Sequence, residues 1–144
     1  MDIAVSQPRP VSALERSVAG TAAFFMPVGA GLLWYFDPTE AGFFPVCPLY
    51  SLTGFACPGC GMTRGFHALL HGDIAGALGF NAMIPLFLLL FGFIFVTLFS
   101  VATRGKGFMR LTDSPKFLVG FLVVLVVFGF VRNLPIYPLT LLFP

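Results

Sequence analysis

The sequence predicts an all-α integral membrane protein with three transmembrane helices and an apolar, partly helical outward loop between the first and second. Hydrophobic residues make up 58% of the 144 residues, charged residues only 10%, and 19 residues are phenylalanine. Soluble domains carry about 25% charged residues. The length allows one domain with few spans, since each span needs about 20 apolar residues to cross about 30 Å of hydrocarbon. The eight lysines and arginines form no basic stripe, which argues against a nucleic-acid partner.

The first predicted span covers residues 17–36, which follow Arg16 and contain no charge. Trp34 and Tyr35 come at its far end, as expected where a helix finishes in an interfacial aromatic belt. A cleaved signal peptide is the competing interpretation. We disfavour it because the stretch is long and no small-residue cleavage site follows.

The second predicted span covers residues 82–103, with Pro85 in or near its first turn and Arg104 at its exit. The third covers residues 115–134 and is predicted to open with Ser114 as its N-cap. The second stretch is an uninterrupted apolar run of the length that a span requires.

The third span is short. Its uncharged part, residues 117–131, lies between Lys116 and Arg132. At about 1.5 Å per residue this part covers about 22 Å, less than the hydrocarbon thickness. Both cations are therefore expected either to extend towards the interface or to have polar partners.

Basic residues predict the orientation. They precede the first span and fill the link between the second and third spans, whereas the first loop, residues 37–81, contains only Arg64. By the positive-inside rule, residues 1–16 form a cytoplasmic tail, and the membrane domain, residues 17–144, exposes its cysteine loop and C-terminus outside. We expect a multi-pass protein of the inner (cytoplasmic) membrane, with its cysteines in an oxidising compartment.

The first loop is too apolar to be a solvated linker and is expected to dip into or lie on the membrane. Thr63 is predicted to cap a short helix over residues 64–71, and Asp73 is predicted to cap the next turn, residues 74–78. Irregular backbone at membrane depth must be sheltered from lipid. Any immersed part of residues 45–62 must therefore be covered by the helices, and residues 47–81 are predicted to form a fixed lid on the outer end of the helical bundle.

Two cysteines stand on either side of a Pro-Gly pair, Cys57 and Cys60. Their spacing can close a small disulfide ring or offer two thiolates to one metal ion. Cys47 is a third thiol, and His67 and His71 share one helix face, so the five residues could supply a Cys₃His or Cys₂His₂ set. A structural disulfide is the leading interpretation and zinc binding the second. Plain packing stays open, and redox catalysis ranks last because no thioredoxin-like pattern surrounds the motif.

A second group of polar residues is predicted to form either a structural network, with the lid tied down by its cations, or an anion-binding site. Pairs of Arg64 with Asp73 and of Arg132 with Asp37 are both physically reasonable. Two converging guanidinium groups could instead hold a lipid phosphate. The candidates are Arg64, Asp73, Asn81, Arg132 and Asn133.

Short motifs of Cys, Pro, Gly and Arg follow one another in a fixed order through the first loop. They are Asp37-Pro38, Cys47-Pro48, Leu52-Thr53-Gly54, Cys57-Pro58-Gly59-Cys60-Gly61-Met62-Thr63-Arg64, His67, Gly72-Asp73, Ala77-Leu78 and Asn81. The series resembles the bacterial membrane-protein family catalogued as domain of unknown function 2752, and Arg132-Asn133 looks like its C-terminal Arg-Asn pair. The resemblance implies a membrane location and no particular activity.

We expect a non-catalytic accessory or scaffold subunit of a larger membrane complex. The chain is small and aromatic, and it has no hydrolase triad order, phosphate-binding loop or paired carboxylates. The alternative is a membrane protein whose Cys/His loop binds a metal ion, a lipid headgroup or a redox partner. No cofactor is expected, with zinc as the lesser alternative. The expected partners are membrane lipids and other membrane proteins.

Overall fold

The computed structural model describes residues 11–106 and 115–137, and these residues form six α-helices and no strand. The helices are α1 (Ala13–Tyr35), α2 (Pro48–Thr53), α3 (Met62–Leu70), α4 (Ile74–Phe80), α5 (Ile84–Arg104) and α6 (Pro115–Val131). The predicted N-cap at Ser114 lies outside the described residues, as do most of the N-terminal tail and the end of the C-terminal tail.

Helix α1 begins four residues before the predicted span because its start is capped. The Ser12 hydroxyl accepts a hydrogen bond from the Glu15 backbone N–H at 3.2 Å, and the Glu15 carboxylate accepts one from the Ser12 backbone N–H at 2.7 Å. This capping box satisfies two of the donors that a helix start leaves open. The helix therefore includes a charged first turn ahead of its apolar part.

Helices α1 and α5 form the main helix pair. Gly20 lets them approach closely, since a Cβ there would lie 3.6 Å from the Ala102 Cβ. Arg16 donates hydrogen bonds to the backbone oxygens of Ala102 at 3.1 Å and Thr103 at 3.2 Å. These are carbonyls of the last turn of α5, which lack partners within the helix. The start of α1 therefore lies beside the end of α5.

Among the described helices, α1 and α5 are long and apolar enough to cross a membrane, with mean hydropathies of 1.4 and 2.6. Helix α6 is apolar but has only 17 residues. It ends at Val131, short of the predicted boundary at residue 134, because the chain turns at Arg132 and Asn133. The second predicted span matches α5 closely, with Pro85 in the first turn.

The cysteine loop contains α2, α3 and α4. Helix α3 begins at Met62 because Gly61 is its N-cap, with a φ of 79° that favours glycine. The predicted cap Thr63 therefore lies inside the helix, which was a wrong prediction. Asp73 caps α4 as predicted, accepting a hydrogen bond from the Gly76 N–H at 2.8 Å. Helix α2 was not predicted from the sequence.

Helices α3 and α4 pack against the start of α5 around Gly65, which is buried. A Cβ at this position would lie 2.8 Å from the Ile84 Cδ1 and 3.1 Å from the Ala77 carbonyl oxygen. Ile84 and Ala77 are themselves buried at 2% and 0% exposure. This contact fixes the short helices at one end of the α1–α5 pair.

Candidate metal centre

Three cysteine side chains meet in the first loop. The Sγ of Cys57 lies 3.2 Å from that of Cys47 and 3.4 Å from that of Cys60. All three sulfur atoms lie within 4.8 Å of one another. The cysteines are free thiols, and these distances exceed the S–S bond length of about 2.05 Å. The predicted Cys57–Cys60 disulfide is thus not formed in this structure, and its formation in the cell stays a prediction.

A tight turn brings the second and third thiols together. The Cys60 N–H donates to the Cys57 carbonyl oxygen at 3.0 Å, and the Cys57 N–H donates to the Cys60 Sγ at 3.2 Å. Pro58 restricts the backbone within the turn, and Gly61 then lets the chain enter α3 directly. Both sulfur atoms therefore face the same side of one turn.

The first thiol has a different environment. Cys47 is the N-cap of α2, and the backbone N–H of Tyr50 lowers the Cys47 pKa to about 7, helped by the neighbouring Cys57 thiol. Burial raises the pKa of Cys60 to about 12, and its thiol neighbours add to this effect. Near neutral pH the cluster therefore holds one thiol that ionises readily and one that stays protonated.

Arg132 donates hydrogen bonds to the turn of residues 57–60, which we call the cysteine turn. Its guanidinium Nη1 donates to the carbonyl oxygens of Cys57 at 3.0 Å and Cys60 at 3.1 Å. The side chain is fully buried, and its guanidinium carbon lies 5.1 Å from the centre of the Phe128 ring. The buried guanidinium of Arg132 is therefore close to Cys57 and Cys60.

Two asparagines complete this support. Asn133 exchanges two hydrogen bonds of 2.8 Å with the backbone N–H and carbonyl of Ala56. The Asn81 side chain is buried and donates to the carbonyl oxygens of Pro58 at 2.9 Å and Cys60 at 3.0 Å. Residues 56–60 are therefore fixed by polar side chains that follow α4 and α6 in the sequence.

The turn also packs directly on α6. A Cβ at Gly129 would lie 2.9 Å from the Cγ of Pro58, so only glycine lets the helix and the proline ring come this close. Asn133 donates to the Gly129 carbonyl oxygen at 2.7 Å, which links the same helix turn to the network. The sequence alone did not identify Pro58 as the partner of Gly129.

The two histidines that were predicted as metal ligands, His67 and His71, contact α1 and not the thiols. The Nδ1 of His67 is 2.6 Å from the Leu33 carbonyl oxygen, and the His71 ring stacks on Trp34 at a centroid distance of 5.9 Å. Both imidazoles therefore contact α1. Within residues 11–106 and 115–137, the group of potential metal ligands around the thiols consists of the three cysteines alone.

The remaining predicted polar residues are divided between two places. Asn81, Arg132 and Asn133 surround the cysteine turn, as described above. Arg64 instead stacks its guanidinium carbon 5.4 Å from the Phe80 ring centre, and in the described chain no ion pair joins it to Asp73. Asp37 accepts hydrogen bonds from the Thr39 N–H and hydroxyl, which lower its pKa.

A cleft of about 680 Å³ opens beside the three thiols. The mouth is lined by segments on both sides of α2 and by the start of α3. Its polar and charged lining includes Thr39, Tyr50, Thr63 and Arg64. A small molecule that enters the cleft can therefore reach the sulfur atoms, and the Arg64 guanidinium lines the same cleft.

Over residues 11–106 and 115–137, the fold and the site define an all-helical protein with two candidate membrane spans and a cluster of three cysteines. Residues 47–95 match the model of the family described as "Protein of unknown function (DUF2752)". The resemblance predicted from the cysteine motif is thus confirmed over α2, α3, α4 and the first half of α5. No curated protein and no solved structure matches the chain.

Proposed function

We propose that this protein binds one thiophilic metal ion through the thiolates of Cys47, Cys57 and Cys60. The observation that carries this proposal is the convergence of three sulfur atoms within 4.8 Å. A metal–sulfur bond of about 2.3 Å separates two sulfurs of a tetrahedral site by about 3.8 Å. The cluster needs only small side-chain adjustments to reach that spacing.

The donor set determines the kind of metal. Thiolates without imidazole or carboxylate favour soft ions, Zn²⁺ and Cu⁺ among them. Three thiolates around a divalent ion carry one net negative charge, which would be costly to bury alone. The buried cation of Arg132, next to Cys57 and Cys60, offsets this charge.

We further propose that α1, α5 and α6 all cross the bacterial inner membrane, with the cysteine site at its outer face. Large apolar side chains are exposed along all three helices, as lipid-facing residues would be. Arg16 and Arg104 lie at the same end of the α1–α5 pair, and the positive-inside rule assigns that end to the cytoplasm. The cysteine loop lies at the other end.

A labelling experiment tests this orientation. Single-cysteine probes in a cysteine-free background should react with an impermeant maleimide in intact cells when placed at Glu40 but not at Lys106. Labelling of both after lysis is the control for reactivity. Labelling of the Lys106 probe alone in intact cells would reverse the orientation.

Metal titration tests the binding proposal. Protein purified in mild detergent, reduced and stripped of metal, should take up one Cd²⁺ per chain and show the ultraviolet band of thiolate-to-metal charge transfer. Serine at any one of the three cysteine positions should weaken binding strongly. The matched control is His67→Ala, which should bind normally because His67 contacts Leu33. Uptake without the sulfur band, or loss of binding only in the histidine variant, would contradict the proposal.

A role as an accessory subunit of a larger membrane complex is the second candidate. A Cβ at Gly29 or Gly31 of α1, or at Gly92 of α5, would meet nothing within 4 Å, so these positions leave backbone open to a neighbouring helix. Leucine at Gly29 and Gly31 should then displace a stoichiometric partner during purification in mild detergent. The absence of any stoichiometric partner of the parent protein would argue against this role.

A further inference from the structure

The three thiols are supported very unequally. Cys57 and Cys60 sit in the turn that Arg132, Asn133 and Asn81 hold through six side-chain hydrogen bonds to the backbone of residues 56–60. These bonds come from the two residues after α6 and from Asn81, which ends α4. Two of the three sulfur atoms are therefore anchored to the helical bundle.

Cys47 belongs to a separate element. It precedes α2, which buries none of its six residues and does not pack extensively on another described helix. The side chains of Ser51 and Thr53 donate to carbonyls of α2 itself, at Pro48 and Leu49. The third sulfur can therefore move away together with α2 while the anchored turn stays in place.

The cleft gives an incoming ligand a route to the Cys47 sulfur. It is lined by all three cysteines and by residues that precede and follow Cys47, among them Val46 and Tyr50. Arg64 contributes a half-buried guanidinium to the same wall. A small molecule that carries a thiolate and further negative charge fits this combination of soft site and cation.

We propose that the bound metal is exchanged at the Cys47 position, where a small anionic thiol from the cleft replaces the Cys47 sulfur. This inference rests on the proposed metal binding. A metal–sulfur bond forms to the incoming sulfur and the bond to the Cys47 Sγ breaks. The proton released by the incoming thiol ends on the Cys47 sulfur, and no electron is transferred. Cys57 and Cys60 keep the ion until a second exchange removes it.

The test uses the full chain loaded with Cd²⁺, whose stoichiometry is measured first. Release to an excess of chromophoric chelator should rise linearly with glutathione concentration, reaching about tenfold over the thiol-free rate, because an associative exchange needs the incoming sulfur. S-methylglutathione should have no effect. The cationic thiol cysteamine should be less effective, and Arg64→Gln should reduce that difference without changing Cd²⁺ stoichiometry.

Site-mapped alkylation of the loaded protein provides the second readout. Cys47 should react with iodoacetamide about tenfold faster than Cys57 and Cys60, since it alone can leave the metal. Equal alkylation of the three cysteines, or a release rate independent of glutathione, would overturn the exchange proposal while leaving metal binding intact. A starting sample that takes up no Cd²⁺ would refute the binding proposal, and the exchange proposal with it.

Discussion

The side-chain amide of Asn133 pairs with the backbone of Ala56, 77 positions earlier, through two hydrogen bonds of 2.8 Å. The pairing resembles that between neighbouring strands, with an amide side chain in place of one backbone. It ties the residue before the first turn cysteine to the end of α6. Both Ala56 groups are thereby satisfied at a position that is 2% exposed.

Replacing Asn133 should therefore destabilise the protein. Asn133→Asp keeps an acceptor for the Ala56 N–H but cannot donate to the Ala56 carbonyl when ionised, and Asn133→Ala removes both bonds. We expect losses of about 1 to 3 kcal/mol in the free energy of unfolding. Denaturant titration in detergent measures this, with Ser51→Ala on the exposed α2 as control. A change no larger than that of the control would contradict the predicted role of the pair.

Arg132 and Arg64 should differ sharply in their contribution to stability. Arg132 is fully buried and donates to two carbonyls of the cysteine turn, so Arg132→Met removes two buried, charge-assisted hydrogen bonds. We expect a loss of about 2 to 4 kcal/mol. Arg64 is partly exposed against Phe80, and Arg64→Met should cost less than about 1 kcal/mol. Melting curves in detergent compare the two, and similar losses would show that the turn does not depend on Arg132.

Gly129 offers a steric test of how closely the turn packs on α6. In Gly129→Ala the new Cβ would lie 2.9 Å from the Pro58 Cγ, so either the turn or the helix must shift. We expect a loss of about 1 to 3 kcal/mol and weaker Cd²⁺ binding. The matched control on the same helix is Gly120→Ala, whose Cβ would meet nothing within 4 Å. Equal stability of the two variants would mean that the contact is absent in the membrane.

The reactivity of Cys47 should depend on pH in a distinctive way. The Tyr50 N–H and the Cys57 thiol lower the Cys47 pKa to about 7, whereas burial raises that of Cys60 to about 12. Because the thiolate is the reactive form, alkylation of Cys47 in the reduced, metal-free protein should increase through pH 7 and level off above it. Cys60 should stay slow throughout this range. The ordinary pKa of a cysteine thiol is about 8.5. A Cys47 alkylation rate that continues to increase well above that pH would contradict the lowered pKa of Cys47.

The sequence predicts the long helices well because an apolar run long enough to cross a bilayer can be recognised directly in the sequence. The boundaries of α5 follow from Pro85 and Arg104. It also predicts that Asp73 caps α4. The start of α3 was misplaced because Gly61, with a positive φ, replaces a side-chain cap at Thr63. The start of α1 was misplaced because the capping box lies in the charged residues before the apolar run.

The site was harder to predict because its contacts join distant parts of the chain. Spacing grouped His67 with the cysteines, but α3 turns its imidazole towards Leu33 on α1. Local charge suggested that Arg64 pairs with Asp73, yet each has a nearer partner, in Phe80 and in the start of α4. The pairing of Asn133 with Ala56 has no local signature at all. The short third span and the need to shelter an apolar loop predicted that Arg132 and Asn133 tie down the loop, but not which loop groups they contact.

The most direct test of metal binding by the three cysteines is to count the sulfur atoms that surround the bound metal. X-ray absorption at the zinc edge of the Zn²⁺-loaded protein should show three sulfur neighbours at about 2.3 Å and no outer-shell scattering from imidazole. The Cys47→Ser variant should lose one of these sulfur neighbours and keep the other two. A first shell with imidazole scattering, or with fewer than three sulfurs in the parent protein, would contradict the assignment of Cys47, Cys57 and Cys60 as the metal ligands.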